Sequence, residues 1–303
     1  MDFKEESHYL NELPFSNEDN SIFDAIENQN VQTLKKLVAK GFDLNEKNRF
    51  GTSPLHLAIS KNNLEIVKVL IENGASPDVF DASSWNFTPL QLAMKMENYE
   101  IVKFLVEKGA NINLCKGYHH PLKLAIKNFE IFKFFMKNGA IMSDKLKGNI
   151  IFILIDTQRE EFFKYVFLNY IHDPNFTSGG CPPIFLAIYK KCEKIVELLI
   201  QHGAEIIKSR VGNYSTLAFA STTNNLKIVR LLIENGAKIN PEDRDTYQPI
   251  QTAVRFDQII VAHYFLSFGA CANARNQNNE NSLELSIRKT KIEFFKLFVY
   301  HQE

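Results

Sequence analysis

The chain repeats itself, and this self-similarity constrains its fold more than any other feature. The segment GTSPLHLAISKNNLEIVKVLIENGAS, which begins at Gly51, returns in altered form as FTPLQLAMKMENYEIVKFLVEKGAN and STLAFASTTNNLKIVRLLIENGAK. Glycine closes seven copies at intervals of 33, 35, 30, 64, 33 and 33 residues. These glycines are Gly41, Gly74, Gly109, Gly139, Gly203, Gly236 and Gly269. A fixed period of this length is typical of a stacked array rather than of one globular core.

A second marker supports the same period. The interval of 64 residues is two units of 32, so one less recognisable copy lies between Gly139 and Gly203. The other units carry a small residue one helical turn after a Pro-Leu-like start, and Ile155 takes that place in the less recognisable copy. The small residues are Ala25, Ala58, Ala93, Ala125, Ala187, Ala220, Ala253 and Ser286. The two markers together predict nine units.

The order of residue types inside one unit predicts a pair of helices. Ser53 supplies a capping hydroxyl, and Pro54 follows at the first helical position, where its missing N–H removes no hydrogen bond. The polar break KNN, from Lys61, separates this first helix from a second one. The second helix has an apolar face of Ile66, Val67, Leu70 and Ile71. One such pair cannot bury its apolar face alone, so neighbouring pairs must stack and share a core.

The segments GTSPLHLA and IVKVLIENGA resemble the ankyrin repeat, whose signature is T-P-L-H-x-A at a period of about 33 residues. The likeness extends over residues 20–303 and implies one all-α domain, an α-solenoid of stacked helix-turn-helix units. It also implies that a short hairpin, here called a finger, precedes each first helix. In ankyrin repeats the finger tips and first helices form a concave surface that binds proteins. The resemblance therefore implies a protein-protein interaction module.

Several units depart from the family's pattern. The family's histidine bonds backbone atoms and braces the turn, but only one unit has it, at His56. Elsewhere Gln91, Lys123 and Thr252 stand in its place. The unit at 149–170 lacks the proline, the small residue and the glycine, and the unit at 121–139 is two residues shorter between its markers than the unit at 54–74. We therefore expect residues 115–180 to be an irregular middle of the solenoid.

Bulk composition excludes several classes of function. Lys plus Arg equals Asp plus Glu at 35 each, so no net field favours nucleic acid or an anionic membrane. The apolar run IIFILI is far shorter than the roughly 20 residues that a membrane span needs. Four cysteines without close paired spacing are typical of free thiols in a reducing compartment. A cytoplasmic location follows as the expectation.

Two groups of residues invite a catalytic or metal-binding interpretation, but each lacks part of what such a site needs. Cys115, His119 and His120 lie close together, but a structural zinc site needs four ligands in paired spacings. Cys181 follows a glycine turn, but a thiol nucleophile needs a positioned base and a lowered pKa. We expect no enzyme activity, no metal and no cofactor. An enzyme site within 141–180 is a distant alternative.

The more informative pattern lies at the exposed positions of the fingers and of the inner, first helices. These positions are rich in aromatic residues with interleaved arginines, the residue types that dominate protein interfaces. The predicted partner-binding residues are Arg49, Phe50, Trp85, Phe87, Tyr118, Tyr189, Tyr214, Arg244, Tyr247, Arg255 and Phe256. The unit with the 35-residue interval carries its two extra residues in the finger between Asp81 and Asn86, which places Trp85 near the tip. The opposite interpretation, that these rings pack on neighbouring fingers, stays open for each single residue.

The two ends of the chain carry separate expectations. Residues 1–19 are acidic, and we interpret them as a polar cap on the first unit or as an acidic tail. At the other end, KIEFFKLFVYHQE predicts a second helix that is unusually apolar for the last unit of an array. Weak self-association through this C-terminal helix is therefore a further hypothesis.

The sequence thus predicts a non-catalytic module that binds a protein partner. Its 27 lysines against 8 arginines indicate an AT-rich genome. Degenerate ankyrin repeats in such a genome are similar to proteins that intracellular bacteria and large viruses direct against their hosts, which would place the chain in the host cytosol. The alternative is a structural scaffold or a self-associating spacer of an AT-rich organism.

Overall fold

The computed structural model describes residues 21–81, 86–116, 119–177, 181–207, 210–242, 247–276 and 278–301. The chain forms two compact units, one ending at Ile141 and the other beginning at Met142. Each unit is built from helix pairs in which a first helix is followed by an antiparallel second helix. Together the described residues contain the nine pairs that the two sequence markers predict.

The first unit contains four pairs. Its helices are α1 (Ile22–Glu27), α2 (Val31–Ala39), α3 (Pro54–Ser60), α4 (Leu64–Glu72), α5 (Pro89–Lys95), α6 (Tyr99–Glu107), α7 (Pro121–Leu124) and α8 (Phe129–Lys137). A 3₁₀ turn at Ala125–Lys127 follows α7. The first helices α1, α3, α5 and α7 contact one another in sequence order, and the second helices α2, α4 and α6 do the same. The unit is therefore two layers of helices with the apolar core between them.

The second unit contains five pairs. Its helices are α9 (Asp144–Asp156), α10 (Glu160–Tyr170), α11 (Pro183–Tyr189), α12 (Glu193–Gln201), α13 (Thr216–Ala220), α14 (Leu226–Glu234), α15 (Pro249–Arg255), α16 (Ile259–Ser267), α17 (Ser282–Arg288) and α18 (Ile292–Tyr300). Two short strands, β1 (Arg210–Val211) and β2 (Tyr214–Ser215), pair antiparallel in the finger before α13. First helices again contact first helices, and second helices contact second helices. The predicted all-α architecture with hairpin fingers is confirmed.

Side chains cap both helices of the typical pair. The hydroxyls of Ser53 and Thr88 accept hydrogen bonds from the third residues of α3 and α5, and a proline opens each of these helices. Asparagine plays the same part for second helices: the side chains of Asn63 and Asn98 accept from Ile66 and Ile101. These caps satisfy backbone N–H groups that would otherwise lack a partner at a helix start.

Helix ends in this chain follow one hydrogen-bonding pattern. After α4, the amide of Ala75 donates to the carbonyl of Leu70 at 2.9 Å, with Gly74 between them at φ +102°. This is the arrangement in which a left-handed residue closes a helix. Between α3 and α4 the same pattern recurs with a non-glycine residue: Asn62 has φ +57°, and the amide of Asn63 donates to the carbonyl of Ala58. Such a left-handed residue joins the two helices in every described pair except α7–α8.

The less recognisable copy shows that one sequence assignment is wrong. The amide of Arg159 donates to the carbonyl of Leu154 at 2.9 Å, which is the bond that Asn63 makes to Ala58. Leu154, not Ile155, therefore occupies the small-residue position. Ile155 stands instead at the next position, which Ile59 fills in α3, and both side chains are fully buried. The error arose because neither residue is small, so the sequence offered no marker of the register there.

The two repeats that depart from the sequence pattern, at 121–139 and 149–170, are also irregular in structure. The repeat at 121–139 is two residues shorter in its first helix and the turn after it. Its first helix, α7, has only 4 residues and is followed directly by the 3₁₀ turn. The next first helix, α9, has 13 residues where α3 has 7. Both departures lie within 115–180. The assignment of 20–303 to one solenoid with its irregular middle there stays a prediction.

An asparagine four positions after the closing glycine links one pair to the next. Asn240 donates from Nδ2 to the carbonyl of Gly269 at 2.9 Å and accepts at Oδ1 from the amide of Cys271 at 2.8 Å. The same pair of bonds is made by Asn45, Asn113 and Asn175. We call this contact the asparagine bridge. It satisfies two backbone groups at the end of the next second helix.

The fingers confirm where the long unit carries its insertion. In the finger before α3, Asn48 exchanges backbone and side-chain hydrogen bonds with Thr52, four positions later. In the finger before α5, Asp81 makes the same exchange with Phe87, six positions later. The two extra residues therefore lie inside this finger, as the spacing predicts.

We expect the removal of an asparagine bridge to lower the stability of the chain and the addition of one to raise it. Asn240→Ala removes two hydrogen bonds and should lower the free energy of unfolding by about 1–2 kcal/mol. Ile207 holds the equivalent position after Gly203 and is 55% exposed. Ile207→Asn should create a bridge to the next pair and raise stability by about 0.5–1 kcal/mol. Urea unfolding of the two variants measures both effects, and equal destabilisation by both would contradict this role.

Candidate functional site

Two positions in each pair govern what a finger presents. The finger-base position lies six residues before the small residue of the first helix, and the helix-end position lies two residues after it. In three of the described helix pairs, the side chains at these two positions contact each other. Lys95 Nζ lies 5.1 Å from the ring centroid of Phe87, and Arg255 Cζ lies 5.0 Å from that of Tyr247. In the last pair, Arg288 forms an ion pair with Glu280.

Phe87 is the one described member of the predicted partner-binding set that the structure removes from the surface. Its side chain is only 4% exposed. Lys95 covers one side of the ring, and His119 of the next finger base packs edge-on at 4.9 Å between ring centroids. The expectation that Phe87 presents its ring to a partner is therefore wrong. The sequence could not show this, because it does not reveal which neighbours cover a finger-base ring.

Tyr214, Tyr247 and Arg255 are brought together in the second unit. The two tyrosine rings stand in adjacent fingers at the finger-base position, 4.7 Å apart and tilted by 61°. Phe219 of α13 packs edge-on against Tyr214, with 6.2 Å between the ring centroids. The amide of Tyr247 donates to the carbonyl of Asn213, which fixes the second finger against the first. We call Tyr214, Tyr247, Arg255 and Phe219 the tyrosine cluster.

Four other members of the set are exposed: Tyr189 and Phe256 in the second unit, and Arg49 and Phe50 in the first. Tyr189 ends α11 and is 62% exposed, and Phe256 follows α15 and is 42% exposed. In the first unit Phe50 is exposed at the finger before α3, with the guanidinium of Arg49 4.8 Å from its ring centroid. Trp85, Tyr118 and Arg244 lie outside the described residues. The second unit thus carries the larger part of the described set.

Sequence reasoning missed the partners that hold these residues. It named Tyr214 but not Phe219, which packs against it. It also named Tyr247 and Arg255 but not the Glu280–Arg288 pair at the same two positions one repeat later. Counting 33 residues forward from Tyr247 and Arg255 reaches Glu280 and Arg288 directly. A register-by-register alignment of the finger-base and helix-end positions would therefore have found the relation.

In three repeats a hydrogen bond from the third residue of the first helix ties that repeat to the next finger. The ring of His56 is 1% exposed, with Nε2 2.9 Å from the carbonyl of Phe87 and Nδ1 2.8 Å from the hydroxyl of Ser53. Gln91 donates in the same way to the carbonyl of His119 at 2.6 Å. In α15 this part is played by Gln251, which donates to the carbonyl of Ala274. The sequence assignment of Thr252 to this position is wrong by one residue, because the helix starts at Pro249.

Burial determines the protonation of the histidines near this surface. It lowers the pKa of His56, against smaller opposing effects of the Phe87 carbonyl and Asp81. The neutral ring then donates from Nε2 to the carbonyl and accepts at Nδ1 from Ser53. Burial also lowers the pKa of His120, whose Nδ1 accepts the amide of Leu122 at the start of α7.

The residues that invited a catalytic or zinc interpretation have other roles in the structure. Burial raises the pKa of the Cys181 thiol, the opposite of what a thiolate nucleophile needs. His119 packs on Phe87 and His120 caps α7. Among the described residues no three His, Cys, Asp or Glu side chains converge as metal ligands would.

The last helix pair presents an apolar face. Phe295 of α18 is 40% exposed, although the same position in the other eight second helices is fully buried. Those eight residues are Leu34, Val67, Val102, Phe132, Phe163, Val196, Val229 and Ala262. Ile287 of α17 is likewise 56% exposed at a position that is at most 6% exposed in the other first helices. No helix in the described part of the chain is long and apolar enough to cross a membrane.

Comparison with known proteins agrees with this architecture. A family model described as ankyrin repeats, in three copies, matches residues 22–116 and 148–243. A Fowlpox virus protein described as an ankyrin repeat protein, FPV219, is 38% identical over 52 residues, which are 17% of this chain and 12% of that protein. A Rickettsia bellii protein of the same description is 41% identical over 64 residues, 19% of this chain and 38% of that protein.

The similarity also reaches a protein of another kind. The potassium channel AKT1 of Arabidopsis thaliana is 39% identical over 61 residues, 20% of this chain and 7% of the channel. This chain therefore matches only a small part of the length of each of these relatives.

The buried histidine predicts a pH dependence of stability. The pKa of His56 is lower in the folded chain than the ordinary value near 6.5, so the unfolded state binds a proton more readily. Stability should therefore be full above about pH 6.5 and fall as the pH drops toward the lower, folded-state pKa. His56→Gln provides the hydrogen bond that Gln91 already makes, without a titrating group. Urea unfolding at pH 7.5 and 5.5 should show a smaller loss for His56→Gln than for the wild type.

The control for this experiment is His56→Ala, which leaves the buried Phe87 carbonyl without its donor. It should lose about 1–3 kcal/mol at both pH values. Equal pH dependence in the wild type and in His56→Gln would contradict the assignment to His56.

Proposed function

The chain belongs to the ankyrin repeat family, and on that premise we propose that it is a non-catalytic module that binds a protein partner. The binding surface is formed by the fingers and the first helices. In this proposal the helix pairs keep their arrangement on binding, and the side chains at the finger-base and helix-end positions make the contacts. No cofactor takes part, and the partner is neither nucleic acid nor membrane.

The observation that carries the proposal is the exposed aromatic set of the second unit. Tyr189 and Phe256 are 62% and 42% exposed at the ends of the first helices α11 and α15. In chain order, the two tyrosines of the tyrosine cluster lie between them, in the fingers before α13 and α15. Large rings with two or three rotatable bonds bury much area at low entropic cost, so they dominate binding energy at interfaces. In the first unit Arg49 and Phe50 extend the proposed surface. Trp85, Tyr118 and Arg244 stay in the proposal as untested members.

A finer proposal concerns where the module acts. Two of the similar proteins belong to Fowlpox virus and to Rickettsia bellii. Together with the lysine-rich composition, they support a host-directed protein that works in the cytoplasm of a host cell. A scaffold of the organism itself is the alternative. Detection of the chain in the host cytosol during infection would favour the first, and strict retention in the producing cell would favour the second.

Partner binding should depend on the exposed rings and not on fold stability. Tyr189→Ala with Phe256→Ala should weaken binding to a captured and purified partner by about 10-fold or more, at a cost in stability within about 0.5 kcal/mol per site. Ile260→Ala is the matched control, because Ile260 is 59% exposed but lies on the second helix α16. Titration calorimetry and thermal unfolding measure the two effects. Equal loss of binding in the control would contradict the proposed surface.

Phe87→Ala gives the opposite contrast in the same experiment. Because Phe87 is buried, its truncation should lower the free energy of unfolding by about 3–5 kcal/mol. A fully stable Phe87→Ala variant would show that this ring is not part of the interior.

A second candidate function is self-association through the last helix pair. The exposed Phe295 and Ile287 occupy positions that are buried elsewhere, so they form a face of interior composition. Beside it, Lys296 pairs with Glu293, so the face carries both signs of charge. A face with both signs can pair with its own copy across a two-fold axis. We propose weak dimerisation here, in support of a spacer or scaffold role.

The dimer makes a direct prediction. Phe295→Glu should abolish concentration-dependent association in sedimentation velocity at about 10–500 µM, because it buries a carboxylate at the centre of the face. Ile260→Glu is the control, since it adds the same charge at an exposed apolar residue of α16. A wild-type chain that stays monomeric throughout this range would contradict self-association.

A further inference from the structure

The finger-base and helix-end positions hold a different pair of residues in each of three consecutive repeats. The α17 repeat has Glu280 and Arg288, whose side chains meet at two points: Arg288 Nε lies 2.5 Å from one carboxylate oxygen, and its terminal nitrogen lies 3.0 Å from the other. The α15 repeat has Tyr247 and Arg255 at the same positions. The α13 repeat has Tyr214 and Thr222. One repeat thus supplies an arginine with its carboxylate, and the repeat before it supplies only the arginine.

Among the described residues, Arg255 contacts an aromatic ring but has no carboxylate that neutralises it. Its guanidinium lies over the Tyr247 ring, and the side chain is half-buried. Within the part of the chain that the structure describes, no carboxylate pairs with Arg255. Arg288, at the equivalent position, has its two-point partner in Glu280. The N–H groups of Arg255 can therefore still take an acceptor from outside.

The ring of Tyr247, which contacts this cation, lies against the ring of Tyr214 in the adjacent finger. The rings of Tyr214 and Tyr247 are 4.7 Å apart, and neither hydroxyl has a hydrogen-bond partner among the described residues. Phe256, the residue after Arg255, is 42% exposed. Arg255 thus offers a cation, Tyr247 and Tyr214 offer hydroxyl donors, and Phe256, the next residue in the chain after Arg255, offers an exposed ring. This combination suits an acidic side chain next to an apolar one.

We propose that Arg255, together with Tyr247 and Tyr214, binds an aspartate or glutamate side chain of the protein partner, and that an apolar partner residue beside it packs on Phe256. This inference rests on the proposed function and names the chemistry of its ligand. The carboxylate makes with Arg255 the kind of two-point contact that Glu280 makes with Arg288 one repeat later. The contact with the Tyr247 ring already restricts the Arg255 side chain, so little side-chain entropy is lost when the carboxylate binds.

The choice of a carboxylate over another anion comes from the chain itself. Glu280 shows that the backbone separation between these two positions lets a carboxylate engage an arginine at two points. Two-point binding of a planar carboxylate by a planar guanidinium is also the strong form of this contact. A partner segment that enters the α15 finger can reproduce it with one glutamate.

The test begins with a random library of 12-residue peptides displayed on phage and selected on the full chain. Selected peptides should be enriched in Glu or Asp next to an aromatic or aliphatic residue. For a synthetic selected peptide, replacing the acidic residue by its amide should weaken binding about 10-fold. Arg255→Gln should cause the same loss, while Arg288→Gln, which removes the same charge one repeat away, should stay within 2-fold of the wild type.

A second variant tests the proposal without removing the arginine. Tyr247→Glu places a carboxylate of the chain at the position of Glu280, where it should pair with Arg255. The peptide should then lose about 10-fold or more in affinity, while the thermal midpoint stays within about 3 °C of the wild type. Retained peptide affinity in a folded Tyr247→Glu variant would overturn the proposal.

The remaining outcomes separate this inference from the proposed function. Peptides that bind with no preference for acidic residues, but still depend on Tyr189 and Phe256, overturn the inference and leave the proposed function standing. Equal losses in Arg255→Gln and Arg288→Gln indicate a general charge effect and overturn the inference. So does a phosphoserine peptide that binds more than 10-fold tighter than its glutamate counterpart. A library that yields no binder to this surface overturns both.

Discussion

The burial of one apolar face between neighbouring helix pairs is the constraint on which the rest of this structure depends. The fifth position counted from the cap of each second helix illustrates it, because Val67, Val102 and Val229 are all fully buried there. A buried aliphatic side chain contributes about 1.5–3 kcal/mol relative to exposure, and a single pair has no second layer of its own against which to bury it. Stability in such an array is the sum of what each pair contributes and what each interface adds. At the same position of α18, Phe295 is 40% exposed, because no further helix pair among the described residues packs on it.

Because the backbone groups are satisfied by caps and bridges, the finger and helix-end side chains can vary without loss of the fold. Asn240 and Gln251 link one pair to the next through hydrogen bonds to its backbone. The finger-base position can then hold a buried Phe87, a half-buried Tyr247 or a paired Glu280. This division between a fixed interior and variable fingers explains how a repeat architecture presents a surface of its own. It also explains why the function must be argued from individual positions rather than from the fold.

Sequence reasoning predicted the helix pairs, their caps, the glycines that end the second helices and the longer finger before α5, because each depends on residues close together in the chain. It could not predict that Phe87 is buried, since Lys95 of the same repeat and His119 of the next repeat cover that ring. It also placed Ile155 one residue out of register, because the packing position at Leu154 is filled by a large side chain that no pattern distinguishes from its neighbour. The left-handed turn residues, such as Asn62 and Glu97, were missed because five or more residue types occupy that position. For the candidate site, the sequence found the residue types and the structure added which of them touch.

Native-state hydrogen exchange on the full chain with Leu232→Ala, a fully buried residue of α14, tests the shared interior most directly. If each pair is stabilised by its neighbours, amide exchange should accelerate most in α13 and α14, next in the adjacent pairs α11–α12 and α15–α16, and least in α17–α18. Faster exchange confined to α14, or the same acceleration in every helix of the second unit, would contradict an interior that is shared between nearest neighbours.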